Sequence, residues 1–347
     1  MIGLMSGTSL DGVDLAYCRF TLENGQWGHS IEQTQTFGYP DKWQSVLRNA
    51  QDLPEESLDS LHVQLGDYFA HVIESFIETH ALDVDFIASH GHTAIHRPEE
   101  GVTRQLGSGS RMSHLLGIPV INDFRSKDLR LGGQGAPLVP IGDRFLFSDY
   151  DICVNLGGFA NLSYSDSGTR KAFDICPLNM ALDEVAQVAG KAFDDHGQMA
   201  RTGSVSTRLV KQLNGLPYYS SSGPKSLGRE WYLESFRPIW KDRQMPMNHL
   251  AASLAEHAAI QIASAMEPVE GMNALFTGGG AYHDLLMERI AHHSEKDIHI
   301  PGDALIQYKE ALVFAFLGVL RWRNEVNVLA SVTGASKDHC SGVIHRA

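Results

Sequence analysis

Three glycine-rich turns, each after a short apolar segment, constrain the fold of this chain more than any other feature. "SGTSLDG" follows residues 1–5, "NLGGFAN" follows residues 152–154, and "TGGG" follows residues 273–276. Glycine lacks the Cβ that keeps a ligand away from backbone N–H groups, so such turns suit anions. None of them matches GxGxxG or GxxxxGK[ST]. Two readings stay open on spacing alone. The turns are ordinary tight turns, or they hold a nucleotide between two domains of another fold.

The surrounding pattern is α/β. Residues 1–5, 13–20 and 26–37 read as strands, so the first turn is a hairpin connection and not a strand-to-helix loop. Residues 55–80 read as a helix, with Leu58, Leu61, Leu65, Phe69, Val72, Phe76 and His80 at helical spacing. A short strand at 84–88 runs into "SHGHT". Residues 109–116 form a helix that stops at Gly117, and 118–121 a strand that leads into "NDFR". Glycine and proline then concentrate in "RSKDLRLGGQGAPLVP", which marks a domain boundary. Strands restart at 152–156, 162–164 and 170–173. Helices follow at 178–189, 205–213 and 248–266, the last with Asn248 as N-cap. A strand at 273–277 enters "GGG", a helix spans 283–292, and a long apolar helix spans 303–323. Alternating strands and helices over 347 residues suggest two α/β domains.

Charge and cysteine usage narrow the function. The net charge of −13 argues against broad electrostatic binding to nucleic acid or an anionic membrane. It leaves room for a small anionic ligand at a local site. Cys18, Cys153, Cys176 and Cys340 are far apart and form no CxxC pair, which fits a reducing, cytoplasmic setting better than a disulfide framework or structural zinc. No signal peptide is visible, and the apolar runs are too short to span a membrane. The Asn161 sequon is idle in such a protein.

The first turn carries Thr8 and Ser9, two carboxylates, Asp11 and Asp14, and no Lys or Arg. Backbone N–H groups, Thr8 and Ser9 can hold phosphate, and Mg²⁺ arriving with a nucleotide wants oxygen ligands. Asp11, more than the strand residue Asp14, is the expected metal contact. In "SHGHTAIHRP", His92 and His96 have the i,i+4 spacing of a zinc pair, but Gly91 and Pro98 disfavour a helix there. A loop that hydrogen-bonds a polar substrate fits better. In "KAFDICPLNMALDEVA", Pro177 suits a first helical turn, and Asn179 and Asp183 then share one helix face. Asp183 is either a general base in a cleft or a solvated helix residue.

Eight segments in order, "GLMSGTSLDGVD", "SHGHT", "NDFRSKDLRLGGQGAPLVP", "NLGGFAN", "DICPLNMALD", "GPKSLGRE", "FTGGG" and "KEALVFAFL", resemble the anhydro-N-acetylmuramic acid kinase family. That family belongs to the actin, Hsp70 and sugar kinase superfamily. The resemblance implies a two-domain actin-like ATPase fold with a deep interdomain cleft. With the boundary set by the Gly/Pro-rich segment, the domains are 1–128 and 129–347, and the last helix can pack back on the first domain. The resemblance also implies ATP and Mg²⁺. The nucleotide would be held by Gly7, Thr8, Ser9, Leu10, Asp11, Gly12, Val13 and Asp14, by Gly157 and Gly158, and by Gly278, Gly279 and Gly280, with Asp11 toward the metal. His90, His92, Asn122, Asp123, Arg125 and Glu310 would line the sugar pocket, and Asp183 falls at the family's catalytic aspartate.

The implied reaction has two linked parts. Water opens the anhydro bridge of 1,6-anhydro-N-acetylmuramic acid, and the freed O6 takes the γ-phosphoryl group of ATP. Asp183 must then act on water, because O6 carries no proton while bridged, as in an inverting glycosidase. The products are N-acetylmuramic acid 6-phosphate and ADP, in cell-wall recycling, and the family is usually homodimeric. Two departures stand out. "DICPLN" replaces the common "DTGPGN", and His92 replaces a glutamine in "HGQT". The first leaves a kinase for an unbridged sugar as an alternative. A non-catalytic, nucleotide-dependent binding protein is another, although no appended peptide-binding domain is visible.

Overall fold

The computed structural model describes residues 1–7, 10–221, 225–241 and 244–347. The chain forms two compact units, Met1–Leu146 with Tyr308–Ala347, and Phe147–Gln307. This differs from the division at 128/129 expected from composition. The segment after 128 stays in the first unit because buried Asp143 pairs with buried Lys309 at 2.7 Å. The chain also returns there at its C-terminus. Phe316 packs on Phe20 and Trp27 at 5.5 and 5.1 Å, and Phe86 stacks on Trp322 at 5.4 Å.

In the first unit β1 (Ile2–Ser6), β2 (Gly12–Glu23) and β3 (Gln26–Gly38) form an antiparallel meander. β1 also pairs parallel to β4 (Ile87–Arg97), and β4 parallel to β6 (Val120–Asn122). β5 (Val102–Leu106) pairs antiparallel with β4, and the strand Val343–His345 closes the far edge on β6. Alternation puts Ile2, Leu4, Val13 and Leu15 into the core. The helix Glu55–His80 covers them with Leu58, Leu61, Leu65, Phe69, Val72 and Phe76, as the helical spacing requires. The helix Gly109–Leu116 ends at Gly117 as expected.

The second unit repeats the plan. β7 (Ile152–Leu156), β8 (Phe159–Asp166) and β9 (Thr169–Pro177) form an antiparallel meander. β10 (Asn273–Thr277) lies parallel to β7, and β11 (Asp297–His299) parallel to β10. The Ala-rich helix Met247–Met266 is buried along most of its length, from Leu250 to Met266.

Several sequence expectations shift. The "SHGHT" segment is not a loop; it lies inside β4, whose second half forms a hairpin with β5 across Pro98–Glu100 and Gly101. Pro177 ends β9 rather than opening a helix, and the helix starts at Asn179. Pro246, not Asn248, precedes the helix Met247–Met266; the Asn248 amide instead donates to Thr202 O at 3.1 Å.

Candidate active site

The opening turn of the first unit links β1 to β2, as read from the sequence. Thr8 and Ser9 lie outside the described residues. Gly7 accepts from Leu10 N at 3.4 Å, and Asp11 O accepts from Tyr39 N at 3.3 Å. Leu10 and Val13 send their side chains into the core, so at these positions only main-chain atoms are left for a ligand. Gly12 is buried in β2, while Asp11 is exposed. Asp14 is half-buried; lost hydration raises its pKa, the Thr36 hydrogen bond opposes that, and the charge on Asp11 adds to it. Thr36 Oγ1 donates to Asp14 Oδ1 at 2.6 Å and lies 3.0 Å from Tyr308 Oη. Sequence reasoning missed Thr36 and Tyr308, which alternation marks only as strand and helix residues.

Two buried polar chains follow on β4. Ser6 Oγ lies 2.7 Å from Tyr39 Oη and 2.9 Å from His92 Nδ1. Burial pushes His92 down to about 4, so it is a neutral partner of Ser6. His90 Nδ1 lies 2.9 Å from Gly91 O, and His90 Nε2 receives Arg125 Nε and Nη2 at 3.1 and 2.9 Å. A nitrogen that accepts from a guanidinium carries no proton, so His90 is the neutral Nδ1–H tautomer. Its pKa lies well below the ordinary value, through burial first and Arg125 second. Burial also lowers Arg125 to about 10, and it stays cationic at neutral pH.

Glu310 has open surface, yet crowding that strips its hydration raises its carboxyl, with Arg125 opposing the shift and Asp14 adding to it. Arg125, Glu310 and Asp14 thus form one electrostatic group in the first unit. Asn122 and Asp123 have local duties. Asn122 Oδ1 lies 2.9 Å from His345 Nε2, and Asp123 Oδ1 accepts from Ser126 N at 3.2 Å. His96 is exposed, 3.1 Å from Thr103 Oγ1, and shares a strand rather than a helix with His92. Among the described residues no group of three His, Cys, Asp or Glu could hold a metal ion.

In the second unit the two glycine turns and the helix Asn179–Val188 meet. β7 and β10 are parallel neighbours with Asn155 opposite Thr277, so their turns emerge side by side. Gly278 has φ +84°, and a Cβ there would lie 2.6 Å from Asn155 Oδ1 and 2.9 Å from Leu156 backbone. The Asn179 amide donates to Leu156 O at 3.0 Å and sits beside Gly279. Leu178 N, Asn179 N and Met180 N donate to the carbonyls of Gly158, Gly157 and Gly158 at 2.8, 3.2 and 3.3 Å. These bonds satisfy the orphan donors of the helix start and tie helix and turn into one piece. Gly280 packs against Leu156 and Leu178. Leu178, a departure in "DICPLN", is core and 1% exposed.

Asp183 lies one turn further along this helix. It is half-buried, takes no hydrogen bond or ion pair among the described residues, and is raised by burial to about 6. Asp174 has a different job. Its N donates to Lys225 O at 3.0 Å, its O accepts from Tyr218 Oη at 2.6 Å, and its Oδ2 accepts from Leu227 N at 2.8 Å. It anchors Lys225 and Leu227, two of the described residues of "GPKSLGRE". A cavity of about 370 Å³ in the same unit is lined by Tyr164, Lys171, Phe173, Tyr219, Lys225 and Gln261 and contains none of the glycine-turn residues.

In each unit an antiparallel three-strand meander is continued by two parallel strands, in the order β3-β2-β1-β4-β6 and β9-β8-β7-β10-β11, and this repeated plan defines an actin-like fold of the sugar kinase type. Solved structures with a likeness to it include an activator of 2-hydroxyisocaproyl-CoA dehydratase from Clostridium difficile with bound ADPNP (15% identity, 90% of this chain and 91% of that one, TM-score 0.46). A ROK family glucokinase from Streptomyces griseus with glucose and AMPPNP is another (13% identity, 91% and 98%, TM-score 0.41).

The particular family follows from sequence. The profile of anhydro-N-acetylmuramic acid kinase matches residues 1–347, and the chain belongs to that family. Curated members include the anhydro-N-acetylmuramic acid kinases of Methylobacterium nodulans (34% identical, 99% of this chain and 99% of that protein) and Idiomarina loihiensis (33%, 96% and 95%). That of Shewanella baltica is 34% identical over 98% of this chain and 97% of its own.

Proposed function

We propose that this kinase opens the 1,6-anhydro bridge of 1,6-anhydro-N-acetylmuramic acid with water and transfers the γ-phosphoryl group of ATP to the freed O6. The products are N-acetylmuramic acid 6-phosphate and ADP, which serves recycling of cell-wall fragments. One observation carries the chemistry: Asp183, a half-buried carboxyl raised to about 6 with no partner among the described residues, on the helix bonded to the Gly157–Gly158 turn and close to Gly279 and Gly280. Such a group takes a proton from water near neutral pH more readily than an ordinary carboxylate does. The bridged O6 has no proton to give, so the base acts on water at the anomeric carbon. The bridging C–O bond breaks, and O6 leaves as the nucleophile for the phosphoryl group.

The other groups bind and orient. In the second unit the Gly157–Gly158 turn offers main-chain N–H groups to phosphate and the Gly278–Gly280 turn serves the adenosine side; in the first unit the opening turn is the phosphate-side turn. The exposed Asp11, with Asp14 beside it in charge, supplies the oxygen set that a largely hydrated Mg²⁺ needs. Bound there, Mg²⁺ neutralises phosphate charge during transfer. Arg125 and Glu310 recognise the sugar, with His90 fixing the guanidinium. Among the described residues no helix is long and apolar enough to cross a membrane, and we place the enzyme in the cytoplasm as a homodimer that needs neither nucleic acid nor membrane.

The test is ADP release with ATP, Mg²⁺ and a sugar panel. The anhydro sugar alone should stimulate it strongly. Stimulation by reducing hexoses and not by the anhydro sugar would select an unbridged substrate; nucleotide binding with no sugar-dependent ADP would select a binding protein.

A further inference from the structure

The "LGGQGAP" segment has no part in the chemistry above, yet it is wrapped around one carboxylate. Asp128 is fully buried. Its Oδ2 accepts from Gly135 N at 2.7 Å and its Oδ1 from Thr333 Oγ1 at 2.7 Å, with His339 Nε2 at 3.6 Å. Asp128 O accepts from Gly133 N at 2.9 Å, and Gln134 N donates to Thr333 O at 2.8 Å. A Cβ on Gly133 would lie 2.2 Å from the carboxylate, and Gly135 holds φ +71°. The two glycines are there so that the main chain can close on Asp128.

Gly135 is also the link outward. Its N–H is taken by Asp128, and its carbonyl accepts from Arg125 Nη1 at 2.6 Å. Arg125 Nε and Nη2 are taken by His90 Nε2. A guanidinium has five N–H groups, so three are fixed and two remain for a ligand. His90 in turn packs on Phe314 at 4.6 Å. Rotation of Arg125 is therefore held at two points, and the second depends on where Asp128 keeps Gly135.

We propose that Asp128, clamped by Thr333, is the positioning residue that aims Arg125 at the sugar; this rests on the reading of Arg125 as a sugar-binding group. Asp128 touches no substrate. It acts through the Gly135 peptide, and the C-terminal tail takes part because Thr333 supplies the second bond.

The test uses the full-length enzyme, steady-state kinetics and ¹⁵N-histidine NMR. Asp128→Ala frees Gly135 and should raise KM for the anhydro sugar by about tenfold or more, the usual scale for a charge-assisted bond. KM for ATP should stay within about twofold. Thr333→Val should move sugar KM the same way by about threefold, and Thr333→Ser should restore it. Asp128→Asn keeps an acceptor for Gly135 N and can turn its amide to Thr333, so it should stay within about threefold of the parent. The His90 Nε2 resonance should shift in Asp128→Ala and Thr333→Val, because the Arg125 donors loosen, and not in Thr333→Ser. A fall in kcat with sugar KM unchanged, or an unmoved His90 signal in folded Thr333→Val, would overturn the proposal. If the parent enzyme itself does not turn over the anhydro sugar, the proposed reaction fails instead, and the His90 signal still decides whether Asp128 sets Arg125.

Discussion

The two units share one strand order and use it differently. In the first, polar side chains are bonded to one another: Ser6 to Tyr39 and His92, Thr36 to Asp14, and Arg125 to His90, with the Gly135 carbonyl as a second anchor for Arg125. In the second, main-chain bonds join the helix Asn179–Val188 to the Gly157–Gly158 turn, Gly279 and Gly280 lie close to its start, and Asp183 has no partner among the described residues. A repeated topology fixes where turns emerge. Asp183 stands apart even within its own unit, where Glu184 pairs with Arg237 and Glu256 with Arg289 and His293; the proposed base is the carboxyl without a partner among the described residues. A partly buried carboxyl without partners is a stability cost that a functional site retains.

The largest effect that sharpens this contrast is expected at Asp183. Asp183→Asn should lower sugar-dependent ADP release by about a thousandfold, the range for a general base, while ATP affinity by calorimetry is unchanged. Near-normal turnover would break the contrast outright. Gly278→Ala comes next. Its φ of +84° and the 2.6 Å approach to Asn155 Oδ1 leave no room for a methyl. The variant should lose about 2 kcal/mol of stability in urea together with nucleotide affinity.

The pH dependence follows from the raised Asp183 carboxyl, about 6 when folded against roughly 3.9 unfolded. As base it must be ionised, so kcat/KM should fall about tenfold per pH unit below pH 6. The folded state prefers the proton, so stability is lost as pH rises from about 4 to 6 and the full cost is present above that. Asp183→Asn should thus be more stable at pH 7 by about 1 kcal/mol, allowing for partial solvation. Calorimetry showing the variant less stable would contradict the uncommitted state of Asp183. The smallest effect is His92→Gln, which replaces a neutral partner of Ser6 by another and should leave turnover within about threefold.

Much of this was legible in sequence. Helical spacing marked 55–80 to the residue, because apolar stripes register burial directly. The meanders and glycine turns were legible from alternation and turn chemistry. The division of the chain was not. A Gly/Pro-rich stretch looks like a linker, but "LGGQGAP" is glycine-rich because it closes on Asp128. The β4–β5 hairpin was also hidden, since "SHGHT" carries polar residues that a strand buries only when partners such as Ser6 and Arg125 exist elsewhere in the chain. Asp183 could be placed on a helix face with Asn179, but its isolation from partners is a tertiary property.

The central claim is that one water and one phosphoryl group enter the sugar in a single turnover. Its most direct test is the mass of the product made from 1,6-anhydro-N-acetylmuramic acid in ¹⁸O-labelled water with ATP. A 6-phosphate carrying one ¹⁸O at the anomeric position, absent with Asp183→Asn, is the result expected here. A phosphorylated product with the anhydro bridge intact, or one without label, would contradict it.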